Sequence, residues 1–273
     1  MEIIGIKAVF YSATGNTKKV VMKIAEHAAE LLHVPLEQYD FTLPSKRENV
    51  LEYSKDWLVI VGLPVYAGRI PNKIAPFVQS YLKGNGAWAV PVVTFGNRSY
   101  DNALIELRNE LERNGFHTIA GAAFVSEHAF SDRLAFGRPD QEDLCAIEQF
   151  AKDIVAKLSN LEEIPPRISV KGMEPIDVYY TPLGMDGKPA VFLKAKPKTR
   201  ENCTYCKRCA EVCPMGSIEN KDPTIVSGIC IKCQACVKVC PEHAKYFDDP
   251  AFLSHIEMLE HHYARRAENE VFV

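Results

Sequence analysis

The chain has 273 residues, a hydrophobic content of 47% and a net charge of −3 with its signs interspersed, a composition that excludes a disordered tail or a fibrous repeat. Its longest apolar runs, WLVIVGLPVY and AVPVVTF, fall short of the roughly 20 residues that cross a bilayer, and no basic face offers itself to a phosphate backbone, so neither a membrane span nor nucleic-acid binding is expected. The opening MEIIGIKAVF lacks a basic segment and a small-residue cleavage site, which predicts a cytoplasmic protein.

From residue 3 the chain alternates between two kinds of segment. IIGIKAVFY, WLVIVGL, AWAVPVVTF and FHTIAGAAFV are short, apolar and rich in β-branched residues, as strands buried on both faces of a parallel sheet are. LEQYDF is a weaker strand of the same kind. NTKKVVMKIAEHAAELL puts Val20, Val21, Ile24, Ala25, Ala28 and Leu32 on one helical face, and DNALIELRNELERNG opens on a capping Asp101 and stops at Gly115. IPNKIAPFVQSYLKGNG is a shorter helix carrying prolines, and EDLCAIEQFAKDIVAKL closes the series with Cys145 on its apolar face, expected to be a buried, inert thiol. The alternation predicts an α/β domain over residues 1–160, a doubly wound sheet of five parallel strands with helices on both faces. Trp57 and Trp88 open strands and are read as core or edge packing.

Residues 161–196 hold Pro165, Pro166, Pro175, Pro182 and Pro189 and no sustained period. They are read as a linker running over the surface, because Val178, Tyr179, Tyr180, Val191, Phe192 and Leu193 ask for burial. A cysteine-rich unit follows over 197–249, and 250–273 is read as a C-terminal helix and tail that docks back onto the rest.

SATGNT lies directly after the first strand and before the first helix. At that carboxyl edge a helix N-terminus presents unpaired N–H groups and a positive dipole end to an anion, so a phosphate fits there, although an ordinary capped turn reads the same way. It is not a Walker loop, since it lacks the Gly-Lys-Ser/Thr ending. PVYAGRIPNK and TFGNRSYDN follow the next two buried strands at the same edge.

Together the three loops resemble those of flavodoxins, over roughly residues 3 to 158. The resemblance implies bound FMN, its phosphate held by Ser12, Thr14, Gly15, Asn16 and Thr17. It further implies an isoalloxazine ring clasped by Tyr66, Ala67, Gly68 and Arg69 and by Gly96, Asn97 and Tyr100, with Tyr100 stacked on the ring. Asn97 and Arg98 stand where many flavodoxins carry acidic residues; Arg69 or Arg98, pointing inward, would favour an anionic reduced flavin. His128, in the loop SEHAFSD at the same edge, is a candidate to touch flavin or substrate, with a solvated loop histidine as the favoured reading; His261 and His262, beside His255 on the C-terminal helix, are read as surface residues.

Eight of the nine cysteines fall between residues 203 and 240, which points to metal chemistry in a reducing compartment rather than to a disulfide framework. CTYCKRCAEVCP and CIKCQACVKVCP repeat the spacing C-x2-C-x2-C-x3-C-P. Structural zinc also uses C-x2-C pairs, but three evenly spaced cysteines plus a fourth leave it an awkward remainder. The repeat resembles bacterial-type ferredoxins, over about residues 197 to 248, and so implies two 4Fe-4S clusters. The implied ligand sets are Cys203, Cys206, Cys209 and Cys240 for one, and Cys230, Cys233, Cys236 and Cys213 for the other. The stretch from Arg200 to Asp249 has seven basic and seven acidic residues, unlike the strongly acidic small ferredoxins.

The whole arrangement resembles the flavodoxin–ferredoxin fusion proteins found among anaerobes. That implies an electron-transfer protein moving electrons between the clusters and FMN, with a ferredoxin or flavoprotein as donor or acceptor. The alternative is an FMN-dependent reductase of a small acceptor such as a quinone, a flavin or a metal complex. A third reading makes the clusters structural props or oxygen sensors. No G-x-G-x-x-G fingerprint follows any strand, so direct NAD(P)H use is not expected. Neither the oligomeric state nor the direction of electron flow is legible in the sequence.

Overall fold

The structure, a computed structural model, describes residues 3–273. Five strands form the parallel core: β1 (Gly5–Phe10), β2 (Leu36–Asp40), β3 (Trp57–Pro64), β4 (Trp88–Phe95) and β5 (Gly121–Val125). Their spatial order, β2-β1-β3-β4-β5, is that of the flavodoxin-like doubly wound sheet, with its switch point between β1 and β3. Ala8, Ile60 and Val90 form a lateral row on one face, and Val9 and Val61 one on the other, so apolar side chains line both, as a sheet covered on both sides requires.

Helices α1 (Asn16–Leu32), α2 (Ala75–Tyr81), α3 (Ala103–Arg113) and α4 (Gln141–Ser159) provide the cover. α1 and α4 bury Val20, Ile24, Ile147 and Phe150 against one face. α2 and α3 bury Phe77, Val78, Leu104 and Leu107 against the other. Of the tryptophans, Trp88 is buried and Trp57 half-buried, its ring against Gly5.

The predicted strand FHTIAGAAFV is broken. His117 and Thr118 pair with Trp88 and Ala89, whereas Ala122 and Ala123 pair with Val92 and Val93, so one extra residue is accommodated beside Pro91. Proline has no N–H for a ladder, which makes this the natural place for a shift.

The tail holds an element not anticipated. β6 (Glu270–Phe272) adds to the edge of β5 as an antiparallel strand. Its approach is fixed by side chains of the α/β domain: Arg138 donates to Ala267 O at 2.6 Å, Asn269 Oδ1 accepts from Val125 N at 2.8 Å, and Asn269 Nδ2 donates to Asp143 Oδ1 at 2.7 Å. Arg138 and Asp143 form a buried ion pair. Burial alone would raise the Asp143 carboxyl, but the hydrogen bonds from Arg138 and Asn269 outweigh it and hold it below its ordinary value. Asp143→Ala leaves Arg138 buried and unpaired, and is expected to cost about 3–5 kcal/mol, measured by chemical denaturation. Because the folded value is depressed, the pair's stabilisation is complete above the unfolded value of about 3.9 and is lost as pH falls through the folded one.

No helix among the described residues is long and apolar enough to cross a membrane. Residues 161–196 carry no helix or strand. Tyr180 and Phe192 turn inward, but Val178, Val191 and Leu193 remain exposed, contrary to expectation. The cysteine-rich unit contains two four-residue helices, α5 (Arg208–Glu211) and α6 (Ala235–Lys238). α7 (Pro250–His262) then packs Met258 and Leu259 against Leu134 and Leu183. Cys145 is exposed, not buried as predicted; at about 100° per residue it lies on the side of α4 opposite the buried Ile147, Phe150 and Ile154.

Candidate functional site

The loops after β1, β3, β4 and β5 enclose one cavity of about 500 Å³, closed from above by residues 179–193, by α7 and by the cysteine-rich unit. At its β1 end, Gly15 takes φ +90° and opens α1, whose first turn carries no acidic residue. Ser12 Oγ accepts from Lys18 N at 3.0 Å, while the N–H groups of Asn16 and Thr17 have no acceptor among the described residues. Thr14, Asn16 and Thr17 line the cavity, whereas Ser12 and Gly15 do not. Ser126 Oγ, also on the wall, is buried without a partner. Free helix N–H groups, a missing acidic residue and an orphaned hydroxyl suit the phosphate and polar edge of FMN.

The second loop is a tight turn. Tyr66 N donates to Arg69 O at 2.9 Å and Arg69 N to Tyr66 O at 3.2 Å, with Ala67 and Gly68 both at positive φ, the geometry of a primed turn. A Cβ on Gly68 would meet Asp101 Oδ2 at 2.3 Å, so glycine is required there. Tyr66, Ala67, Gly68 and Gly96 line the cavity with Arg98.

Three residues assigned to the ring by resemblance turn elsewhere. Arg69 grips Glu106 through two bonds of 2.7 and 2.6 Å and lies over Tyr179, because Glu106 is a buried carboxylate that needs a partner. Asn97 gives its side chain to Tyr263 O, Arg265 O and Ala267 N. Tyr100 donates to Glu270 Oε2 at 2.7 Å and tilts against Phe95. The C-terminal segment, whose path the sequence did not reveal, claims both. Arg98 does face the cavity, but it is paired with Asp101 and lies 3.9 Å over the Tyr180 ring.

Two histidines line the cavity: His128, where the solvated reading gives way to its alternative, and His255. His128 packs its ring on Gly96, and burial lowers its pKa to about 4, with His255, Lys238 and Arg98 adding to the effect. His255 is buried on α7, stacked on Phe192, its pKa also lowered by burial. His128 carries the signal of its place after the last strand at the carboxyl edge, whereas His255 has none, since only the docking of α7 brings it there. Tyr180, Phe192 and Ser126 were missed for the same reason; only their aromatic or carboxyl-edge positions hinted at a role.

The cysteine repeat folds as a repeat. Tyr205 and Lys207 flank Cys206 at φ 55° and 64°, and Lys232 and Gln234 flank Cys233 at φ 57° and 66°. Left-handed non-glycine residues cost free energy, and here they turn three thiols inward in each copy. α5 and α6 then carry the fourth cysteine away. One small cavity is lined by Cys213, Cys230, Cys233 and Cys236, and another by Cys203, Cys206, Cys209 and Cys240, the same two exchanged sets that the ferredoxin resemblance implies. Among the described residues no three His, Cys, Asp or Glu side chains stand as ligands of a single ion would; four thiols spread around a void suit the separate irons of a cube better than one tetrahedral zinc. Burial pushes the Cys233 thiol up to about 12, with Cys213 and Cys230 adding to it. Metal loading must therefore displace protons. Backbone N–H groups of Ser217, Lys232 and Ala244 point at Cys213, Cys230 and Cys240 sulfurs at 3.2–3.4 Å, the kind of bond that tunes a cluster's potential.

The unit is locked onto the α/β domain. Lys238 pairs with Glu127 at 2.7 Å, Arg47 donates to Pro214 O, and Met215 and Ile231 pack on the main core. Cys230 and Cys233 thereby form part of the wall of the large cavity. Tyr66, half-buried on this wall, has its pKa raised by burial first, then by Tyr11 and Cys233.

Residues 202–245 match the family model described as a 4Fe-4S dicluster domain. The α/β part is similar to a flavodoxin from the domain Archaea, at 16% identity over 57% of this chain and 100% of that one, with a TM-score of 0.42. It is similar to the Streptococcus pneumonia TIGR4 flavodoxin at 23% identity over 56% and 99%, with a TM-score of 0.40. To oxidised Flavodoxin 2 from Bacillus cereus the values are 14% identity over 58% and 99%, and a TM-score of 0.41. No curated protein matches the chain. The chain thus joins an α/β domain with the flavodoxin-like strand order to a 4Fe-4S dicluster segment over residues 202–245.

Proposed function

We propose that this chain is an electron-transfer flavo-iron-sulfur protein that carries FMN and two 4Fe-4S clusters. The observation that carries this reading is a shared wall: the cavity that begins at the free N–H groups of α1 ends at Cys230 and Cys233. When bound, the cubes exchange single electrons and the flavin stores a pair. The residues set an order. Cys206 is exposed in the outer set, so a partner redox protein meets that site first. Cys213 and Cys240 each follow one copy of the turn and cross to the other, joining outer and inner sites through covalent chain. Tyr66 stands on the same wall as Cys233, with the buried Tyr11 packed beside it, close enough for both phenols to feel the Cys233 charge. Thiols in eight clustered positions call for a reducing compartment, in keeping with the cytoplasm.

The test is anaerobic rapid mixing of the loaded protein with a one-electron donor such as reduced methyl viologen. Cluster bleaching is expected first, followed by flavin bleaching at a rate independent of donor concentration. Flavin reduction that scales with donor, or that never occurs, would contradict the reading.

A further inference from the structure

The two histidines face the cavity with opposite hydrogen-bonding sense. His128 Nδ1 accepts from Phe130 N at 3.1 Å, so the neutral ring keeps its proton on Nε2 and offers a donor. His255 Nδ1 lies 2.8 Å from Leu183 O, which can only accept, so its proton sits on Nδ1 and Nε2 offers a lone pair. Neither Nε2 has a protein partner among the described residues. The rings stay neutral near pH 7, because burial lowers both.

Their surroundings are flat and apolar. Phe130 meets His128 edge-on at 5.2 Å, Phe192 stacks on His255 at 5.5 Å, and Tyr180 lies beside them. Of the nearby cations, Arg98 is paired with Asp101 and Lys238 with Glu127, while Lys232 spends its ammonium on the carbonyls of Leu193 and Cys230. A planar, uncharged ligand would find aromatic walls at this end.

We infer that His128 and His255 form a binding site for a small, uncharged aromatic molecule bearing a carbonyl and a hydroxyl group. The carbonyl accepts from His128 Nε2–H and the hydroxyl donates to His255 Nε2. As a ligand site this stands without the flavin; as the seat of an electron acceptor it rests on the flavin reading above. The reducible members of the class, hydroxyquinones, gain two electrons and two protons per molecule, which is what reduced FMN gives up on returning to its oxidised form.

The probe is 4-hydroxyacetophenone, titrated calorimetrically into the oxidised, loaded protein after its FMN and iron have been measured. One-to-one binding is expected. His128→Phe and His255→Phe, which keep the ring packing, should each weaken it about tenfold or more, the effect of leaving a buried partner unpaired. His128→Gln, which restores a donor, should recover much of the loss, and acetophenone, lacking the hydroxyl, should bind wild type as weakly as the probe binds His255→Phe. If a phenylalanine variant does not fold, the acetophenone comparison and His128→Gln carry the test. The inference is overturned by the absence of saturable heat, or by equal affinities across ligands and variants. Binding in a protein that holds no FMN would uphold the site and remove the electron-acceptor role.

Discussion

Replacing Cys233 by alanine is expected to lower bound iron from about eight to about four per chain and to abolish donor-independent reduction of the flavin. Cys233 belongs to the inner set and also to the wall of the large cavity, so its cluster is the last station before the flavin. Cys206→Ala is the matched control. It removes a ligand of the outer set, where the side chain is exposed, and should cause the same loss of iron. A small one-electron donor should still reach the inner cluster in that variant, and the donor-independent phase should survive. Iron analysis and rapid mixing read both outcomes. Equal kinetics in the two variants would remove the order assigned to the clusters.

Thr14→Asp should weaken FMN binding by about 2–4 kcal/mol, roughly 30- to 1,000-fold in Kd, since it sets a carboxylate about one contact distance from a phosphate. The first turn of α1 carries no acidic residue, so nothing in the native site opposes the anion. Riboflavin, which has no phosphate, should bind the variant and the wild type alike. Fluorescence titration of both flavins separates a charge effect from a disturbed loop. A parallel loss for riboflavin would mean that Thr14 does not face the phosphate.

The parts of the site legible in sequence are those in which chemistry depends on local spacing. The two C-x2-C-x2-C-x3-C-P runs prescribe their own turns, down to left-handed residues on either side of Cys206 and Cys233. SATGNT needs only a strand before it and a helix after it. The hidden parts depend on chain that returns from far away. Asn97 and Tyr100 have the right offset after Gly96 to meet a ring, but residues 263–270 take their polar atoms. β6 is too short and too mixed in character to signal a strand, and the edge of β5 gives it its conformation. His128 becomes half-buried and His255 buried only when the linker and α7 close over the carboxyl edge. Arg69 illustrates the same limit: Glu106, more than thirty residues away, decides where it points.

The most direct test of the account is an anaerobic preparation assayed for iron, sulfide and flavin per chain, then followed spectroscopically through stepwise reduction. About eight irons, eight sulfides and one FMN, with flavin and clusters reducing in linked steps, is the predicted result. Zinc in place of iron, or a protein reconstituted with FMN that retains none, would contradict it.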